Sequence, residues 1–278
     1  MRDLIIGCST NYDWSKLKYW INSINQSGFT GDRAMILLNC EADTAKKISD
    51  AGFHIIAFNQ NERGDLRYSS NIPVHVERFI LIYNYIKDKD YRYIITTDVK
   101  DVIFQKNPSE FLEKELGQRQ NLMFASESML YKDEPWGNQN LLETFGPYIH
   151  QQFKNNEIYN VGVLAGRGTA IRDLALNIFL SAINRSIPIC DQSTFNVMIS
   201  MSPYKETSRY MTSETGWAAQ LGTTADPSKF DSFKPFLLEN QPYYKDGKVY
   251  TSTGKEFTIV HQYDRVPEWR NEIERIYE

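Results

Sequence analysis

The stretch YIITTDVKDVIFQ, residues 93–105, decides how the rest of the sequence is interpreted. An apolar run ends at two threonines, and two aspartates, Asp98 and Asp101, follow before a second apolar run begins. Two like charges at the end of a buried strand cost free energy, because each carboxylate disfavours ionisation of the other. A hard divalent cation removes that repulsion and commonly binds phosphate oxygens at its remaining positions. The stretch therefore indicates a metal–diphosphate site, and a helix cap or a solvated turn is the alternative that the motif alone leaves open.

The first third of the sequence alternates between apolar runs and segments with helical spacing of apolar residues. The runs are almost continuously apolar, which is typical of strands that are buried on both faces. The alternation predicts an α/β, Rossmann-like fold in which helices cover both faces of a mostly parallel central sheet. The predicted strands are residues 3–8, 33–40, 53–58 and 91–97, and the predicted helices are residues 14–27, residues 43–51 and a helix that begins at Pro73.

The second half of the sequence is less regular. Residues 134–149 contain two prolines and two glycines and are expected to form loop with a short helix. Residues 203–256 are polar and rich in turns, with a hairpin near their end. We see no repeat, low-complexity tract or linker, and we therefore predict a single domain over residues 1–278. The predicted strands are residues 121–127, 158–168 and 257–261, and the predicted helices are residues 170–184, residues 191–201 and a closing helix around Trp269.

Bulk composition disfavours nucleic-acid-binding, disulfide-bonded and membrane-spanning proteins. The 278 residues carry a net charge of −4 without a block of lysine and arginine, which disfavours a nucleic-acid partner. The three cysteines are odd in number and lack C-x-x-C spacing, so reduced thiols are expected. The sequence contains neither a signal peptide nor an apolar run of about 18 residues. We therefore predict a cytoplasmic protein without a transmembrane segment.

The loop after the first predicted strand reads GCSTNYDW and contains one glycine. A dinucleotide-binding fold would carry G-x-G-x-x-G at this place, and a P-loop would carry G-x-x-x-x-G-K followed by serine or threonine. Neither pattern occurs in the sequence, so a nicotinamide cofactor and a P-loop nucleotide are both disfavoured.

Polar residues in or beside apolar runs provide further candidates. His261 ends an apolar run, where a hydrogen-bonded structural histidine is the alternative to a metal ligand; imidazole suits manganese better than calcium or magnesium. Asn160 lies inside an apolar run with Gly162, which would allow close approach of a ligand, unless the pair marks an edge or a bulge. Asp191 and Gln192 open a predicted helix, where capping is the alternative to ligand binding.

These candidates occur in four stretches: TTDVKDVIFQKNP (96–108), YNVGVLAG (159–166), CDQSTFN (190–196) and IVHQYDR (259–265). In type and order they resemble the motifs of metal-dependent GT-A fold glycosyltransferases, and the resemblance covers residues 3 to 265. A closer resemblance is to the short, soluble xylosyltransferases that large algal viruses use on capsid glycans. The spacing here is D-x-x-D rather than D-x-D, which leaves open which aspartate binds the metal directly; we favour Asp101, with Asp98 contacting the ribose or a water.

The resemblance implies transfer of a sugar from a nucleotide-diphosphate donor, a UDP-sugar such as UDP-xylose, to a hydroxyl of a glycan or glycoprotein. It implies that Mn²⁺ or Mg²⁺ is bound by Asp98, Asp101 and His261. Arg78 would reach the phosphate or brace the aspartates. The remaining implied contacts are Ser9, Thr10 and Tyr12 near the base and ribose, and Asn160, Gly162, Asp191 and Gln192 at the sugar.

The stereochemistry depends on the role of one carboxylate. Asp191 is our predicted general base of an inverting reaction, with Glu127 as the alternative; in a retaining enzyme Asp191 would only hold the donor sugar. Tyr131, Trp136 and Trp217 are expected to form an acceptor wall, since aromatic faces pack on the C–H faces of sugars.

Three other functions compete with sugar transfer. A nucleotidyltransferase would need a glycine-rich, basic first loop, which GCSTNYDW does not provide. A non-catalytic glycan-binding protein would not need three convergent metal ligands. A metal phosphohydrolase would spread its acids over more loops.

Overall fold

The computed structural model describes residues 1–278 and contains twelve strands and eleven α-helices. None of the helices combines the length and the apolar character needed to cross a bilayer. The strands are β1 Arg2–Thr10, β2 Asp32–Leu38, β3 His54–Ala57, β4 Tyr91–Thr97, β5 Val102–Phe104, β6 Leu122–Leu130, β7 Glu157–Arg167, β8 Ser208–Met211, β9 Ala218–Gln220, β10 Tyr243–Lys245, β11 Lys248–Tyr250 and β12 Ile259–His261. The helices are α1 Trp14–Gln26, α2 Ala42–Asp50, α3 Val74–Ile86, α4 Pro108–Glu115, α5 Pro135–Phe153, α6 Gly168–Ala182, α7 Asp191–Ile199, α8 Tyr204–Thr207, α9 Leu221–Thr224, α10 Phe230–Phe233 and α11 Pro267–Ile276.

The central sheet has seven strands in the order β3-β2-β1-β4-β7-β6-β8, with β4 in the middle. The pairings β2–β3, β1–β2, β1–β4 and β6–β8 are parallel, whereas β7 is antiparallel to both β4 and β6. The prediction of a mostly parallel sheet is confirmed. Because β1 and β4 are parallel neighbours, their carboxyl ends meet at one edge of the sheet, where such folds bind ligands.

Two hydrophobic cores cover the two faces of this sheet, as predicted. Successive side chains of a strand point to opposite faces, and β1 shows the result: Ile5 lies in one core with Trp20 of α1, while Leu4 and Ile6 lie in the other with Phe79 of α3. All five side chains are almost completely buried. Burial of each such aliphatic side chain contributes roughly 1.5–3 kcal/mol, so the two cores fix the strand edge from which the functional loops project.

A second, three-stranded sheet of order β5-β12-β9 lies beside the carboxyl edge of β4. In the antiparallel β5–β12 pair His261 lies opposite Val102, and in the parallel β9–β12 pair it lies opposite Gln220. Val102 directly follows Asp101. The register of this small sheet therefore brings a histidine from near the end of the chain next to the aspartate pair.

Several elements differ from the sequence-based prediction or refine it. Residues 134–149 are not mainly loop, because α5 begins at Pro135, where a proline is tolerated at the first turn. The helix is kinked at Gly146, whose φ of 77° interrupts it before Pro147. The turn-rich region contains β8 and β9, which the prediction missed. The hairpin in that region is confirmed as β10–β11, with Asp246 and Gly247 both at positive φ in its turn.

Candidate metal centre and its cleft

Two aspartates and a histidine converge where β4 ends. Asp98 directly follows β4, Asp101 precedes β5, and His261 is the last residue of β12. The His261 Nε2 atom lies 3.5 Å from Asp98 Oδ2 and 3.7 Å from Asp101 Oδ1. One ligand atom from each residue lies within 4.8 Å of the others. The three residues that the sequence analysis grouped as metal ligands are therefore adjacent in space.

The orientation of His261 is fixed by its neighbour in the small sheet. Its Nδ1 lies 2.7 Å from Gln220 Oε1. An amide oxygen only accepts hydrogen bonds, so Nδ1 donates, and Nε2 faces the carboxylates, where it would offer its lone pair to a cation once the ring is neutral. A metal-binding histidine usually donates its other N–H to such a partner, which fixes the ring and its tautomer. The arrangement fits an imidazole ligand of a divalent cation.

Gly162 of β7 makes room for the site. A Cβ atom at this position would lie 2.6 Å from His261 Cε1 and 2.8 Å from both Asn160 Oδ1 and Asp98 Oδ2. The backbone of Gly162 also holds its neighbours, because its C=O accepts from Asp98 N at 2.8 Å and its N–H donates to Asn160 Oδ1 at 2.6 Å. Any larger residue would displace a side chain of the site, which explains glycine here without invoking a special backbone angle.

Arg78 of α3 joins two of the acids. Its Nη1 contacts Asp98, and its Nη2 lies 3.0 Å from Asp191 Oδ2. Asp191 is the first residue of α7 and its side chain is 6% exposed, while that of Arg78 is 14% exposed. Such a sheltered, hydrogen-bonded ion pair fixes geometry more than an exposed pair does. Arg78 thus braces the acids, one of the two roles predicted for it.

Glu127 of β6 accepts hydrogen bonds from two of the predicted sugar-binding residues. Its Oε1 accepts from Asn160 Nδ2 at 2.7 Å and from Gln192 Nε2 at 2.9 Å. Gln192 Oε1 in turn accepts from the backbone N–H of Val161 at 3.4 Å. Both amide side chains are therefore held by their partners, and a buried glutamate lies between them with no lysine or arginine partner.

The protonation of the metal-centre residues reflects competing influences. Burial alone would raise the pKa of Asp98, but the charges of Arg78 and His261 hold it far below its ordinary value. Burial raises the pKa of Asp101, and the nearby charge of Asp98 adds to this effect. Burial would lower the pKa of His261, whereas Asp101 and Asp98 raise it. Asp101 is thus the carboxylate that lacks sufficient positive charge.

Burial also affects two further acids near this site. Burial raises the pKa of Asp191 above its ordinary value, although Arg78 acts in the opposite direction. Burial likewise raises the pKa of Glu127, although hydrogen bonds from Asn160 and Gln192 oppose the change. A cation that enters beside these groups would relieve the repulsion that burial intensifies.

A polar cleft opens next to the metal centre. It has a volume of about 400 Å³, and Glu127, Asn160, Asp191 and Gln192 line it together with Asp98 and His261. An adjoining cavity of about 270 Å³ shares four residues with the cleft and contains Asp101. The shared residues are His75, Arg78, Asp98 and Arg265.

The strand-one residues divide between this adjoining cavity and the protein interior. Thr10 and Tyr12 line the cavity, as does the free cysteine Cys8. Ser9 is 2% exposed and lines neither space. Because side chains alternate along a strand, Cys8 and Thr10 share one face and Ser9 points to the other.

The aromatic residues proposed for an acceptor wall have different locations. Trp136 lines the cleft and is 52% exposed. Tyr131 and Trp217 are 1% and 0% exposed, so both belong to the interior and the expectation that they form a wall was wrong. Both rings pack with apolar neighbours in the hydrophobic cores.

The sequence analysis missed three residues of the site: Gln220, which is bonded to His261, and Lys229 and Arg265, which line the cleft. A polar residue at the end of an apolar run was the available signal for Gln220. Arg265 stands in the quoted stretch IVHQYDR, but only the structure shows that it lines both spaces. Lys229 lies in the turn-rich region, where no periodic pattern distinguishes one lysine from another.

A mixed sheet with an acidic pair after its central strand and a cleft at the carboxyl edge defines the GT-A fold of glycosyltransferases, and this chain has that fold. No protein-family model matches the sequence, and no curated protein is detectably similar to it. Similar solved structures include the apo structure of WbbM, a bifunctional glycosyltransferase, with a TM-score of 0.57 and 10% identity. That alignment covers 98% of this chain but 49% of the WbbM chain, so this chain spans about half of that protein.

The galactosyltransferase LgtC, solved in complex with donor and acceptor sugar analogues, is similar at a TM-score of 0.51 and 13% identity. An active-site mutant of LgtC gives a TM-score of 0.51 at 12% identity. Each LgtC alignment covers 93% of this chain and 86% of the other. At these identities the comparisons establish the fold and not the reaction.

Proposed function

We propose that this chain is a metal-dependent glycosyltransferase that moves a sugar from a UDP-sugar to a hydroxyl of a glycan. The observation that carries the proposal is the convergence of Asp98, Asp101 and His261 at the edge of the cleft. Two carboxylates and an imidazole form a donor set that suits Mn²⁺, and Mg²⁺ is the alternative. The bond from His261 to Gln220 supplies the outer support that such a ligand needs.

The adjoining cavity suits the nucleotide diphosphate. Thr10 and Tyr12 would lie near the ribose and base, at the carboxyl end of β1. Lys100 and Arg265 line the same cavity and would balance diphosphate charge. When bound, the metal supplies a Lewis acid that stabilises the negative charge on the departing diphosphate by several kcal/mol, roughly.

The cleft on the other side of Asp98 suits the sugar and the acceptor. Asn160 and Gln192 would hold sugar hydroxyls, and Asp191 would accept from them while Arg78 keeps its carboxylate in place. Asp191, our predicted base, has one carboxylate oxygen held by Arg78 Nη2 at 3.0 Å, so it is less free to take up the proton of the acceptor than a carboxylate without an arginine partner.

We assign the proton transfer to Glu127, the alternative base. It forms no ion pair with a lysine or arginine, and burial raises its pKa. In this inverting step the acceptor oxygen bonds to the anomeric carbon, its proton moves to Glu127, and UDP leaves with the electrons of the broken bond. General-base catalysis is typically worth ~10²–10⁴-fold, and its efficiency rises as the pKa of the base approaches the working pH.

Glu127→Gln tests the assignment, with an expected loss of turnover of about 10²–10⁴-fold. Glu134→Gln is the matched control, since Glu134 lines the same cleft but accepts from the backbone N–H of Gly137. NMR of the product should show the anomeric configuration inverted relative to the donor. A product that retains the donor configuration, or a Glu127→Gln enzyme with wild-type turnover, would refute the role of Glu127.

A panel of UDP- and GDP-sugars with Mn²⁺, scored for slow donor hydrolysis, tests the proposed function itself. We expect hydrolysis of at least one UDP-sugar and its loss on chelation of the metal. Failure of every donor, or a rate that chelation does not change, would contradict metal-dependent sugar transfer.

A further inference from the structure

A smaller cavity of about 270 Å³, which we call the aromatic cavity, lies behind one wall of the cleft. Residues 222–231 form this wall and face both spaces. Asp226 and Lys229 line the cleft, whereas Phe230 and Asp231 line the aromatic cavity. This one segment of ten residues lines both spaces, so the two are neighbours on either side of it.

Trp269 of α11 provides the largest ring of the aromatic cavity. It stacks on Tyr244, with 5.8 Å between the ring centroids and 21° between the planes. Tyr244 therefore covers one face of the indole, while the side chain remains partly exposed in the cavity. A supported, partly exposed indole offers a rigid apolar surface with a polar N–H, which is a favourable combination for a ligand that has both kinds of surface.

Polar groups beside Trp269 complement this surface. Asp231 is exposed and has no ion-pair partner. Gln241 donates its amide N–H to Thr224 O at 2.7 Å, which holds the side chain and leaves its oxygen able to accept another bond. An aromatic plane with a carboxylate and an amide at its side matches a pyranose, whose C–H face is apolar and whose rim carries hydroxyls. A purely aliphatic ligand would make no hydrogen bond to either polar group.

We propose that the aromatic cavity binds a second sugar unit of the acceptor, so that the acceptor is an oligosaccharide rather than a single sugar. The inference rests on the proposed function, because the cleft must hold the reacting end of that chain. Trp269 stacks on the distant unit, and Asp231 and Gln241 bind its hydroxyls. The exposed Trp136 lies at the cleft itself and faces the reacting end of the chain.

Saturation-transfer NMR tests the cavity without turnover. The probes are malto-, xylo- and chito-oligosaccharides of one to six units, presented to the metal-free protein. We expect at least one series to bind more tightly as the chain lengthens, by about tenfold between one unit and three. Trp269→Ala should abolish this length dependence, Trp269→Phe should keep most of it, and Asp231→Asn should weaken it without opening a cavity in the fold.

Tyr148→Ala is the matched control, because Tyr148 is a 74% exposed aromatic that does not line the cavity. The Mn²⁺-dependent thermal shift with UDP should remain unchanged in Trp269→Ala, which separates this test from that of the proposed function. If no probe binds the wild-type protein, or if the length dependence survives Trp269→Ala, the aromatic cavity is not an acceptor subsite. Absence of donor hydrolysis by the wild-type protein would instead refute the proposed function.

Discussion

Aspartates lie at both ends of the neighbouring strands β1 and β4, but their electrostatic surroundings differ. At the amino end, Asp3 Oδ1 and Oδ2 accept from Arg92 Nε and Nη2 at 2.9 Å and 2.8 Å. The backbone N–H of Tyr93 adds a third bond at 3.3 Å. Burial acts to raise the pKa of Asp3, but these hydrogen bonds hold it below its ordinary value. Asp3 therefore has its counter-charge and its hydrogen-bond donors within the protein.

At the carboxyl end of the same strands, positive charge from the protein does not fully compensate the two aspartates. Asp98 forms an ion pair with Arg78, whereas Asp101 lies beside His261 and has no arginine partner, and burial raises its pKa. Asp3 thus has the surroundings of an acid that stabilises the fold, whereas Asp101 has the surroundings expected of the cation ligand that we propose. A depressed pKa contributes stability at neutral pH, while a raised one costs stability until a cation binds.

The largest effect that the comparison predicts is on function at the carboxyl end. Asp101→Ala should reduce turnover by at least about 10³-fold, the equivalent of roughly 4 kcal/mol of transition-state stabilisation. It should also remove the Mn²⁺-dependent thermal shift with UDP while leaving the circular dichroism spectrum intact. Asp3→Asn is the matched control from the amino end and should keep the shift. Normal turnover in Asp101→Ala would remove the basis for the metal site.

Gln220→Ala sharpens the contrast within the metal centre. Loss of an outer-shell partner typically weakens metal affinity about 10–100-fold, and we expect a change of this size in Mn²⁺ titrations followed by calorimetry. Gln105→Ala is the control, since Gln105 is also buried but its side chain bonds only to the backbone of Val249 and Phe257. Equal Mn²⁺ affinities for Gln220→Ala and the wild type would show that the ring orientation does not depend on this bond.

At the amino end, Asp3→Asn should lower the free energy of unfolding by about 1–3 kcal/mol. This is less than for a fully buried pair, because the Arg92 side chain is 39% exposed. Since the folded pKa of Asp3 is depressed, its contribution is complete above the unfolded value of about 3.9 and is lost as the pH falls through the folded value. Urea unfolding should show the gap between variant and wild type at pH 7, and the gap should narrow as the pH falls below the ordinary pKa of aspartate. A gap that does not depend on pH would mean that packing, and not charge, is responsible.

The smallest effect has the opposite sign. Asp101→Asn should raise the free energy of unfolding of the metal-free protein by ~1 kcal/mol at pH 7, because a carboxylate with a raised pKa costs stability above that pKa. The gain should vanish as the pH falls below the ordinary value for aspartate. Mn²⁺ with UDP should reverse the order, since only the wild type would bind them tightly. A variant less stable than the metal-free wild type would contradict the idea of an uncompensated acid.

The features of the site that depend on neighbouring residues in the sequence, namely β4 and the acids after it, could be predicted from the sequence. The apolar run 91–97 matches β4, and the acids after it lie at the predicted edge of the sheet. The position of His261 followed only from resemblance, because β12 has three residues and its pairing with β5 and β9 joins distant segments. Gln220 was missed for the same reason. The prediction of one domain over residues 1–278 stays a prediction.

Local composition gave wrong predictions for helix α5 and for the location of two aromatic side chains. In α5, proline at the first turn and glycine at a kink do not prevent helix formation. Because the sequence analysis treated both residue types as helix breakers, it predicted mainly loop here. Tyr131 and Trp217 looked like ligand-facing rings, but with 13% aromatic content most rings must fill the cores. Burial of a ring depends on the tertiary packing of distant elements, which spacing along the chain does not encode.

The most direct test is a crystal soaked with MnCl₂ and UDP, with diffraction data collected at the manganese absorption edge. We predict one anomalous peak within coordination distance of the Asp101 carboxylate and His261 Nε2, with the diphosphate oxygens on its open side. A peak elsewhere, or none at this position while UDP is bound, would contradict the proposal that these acids hold a cation against the diphosphate.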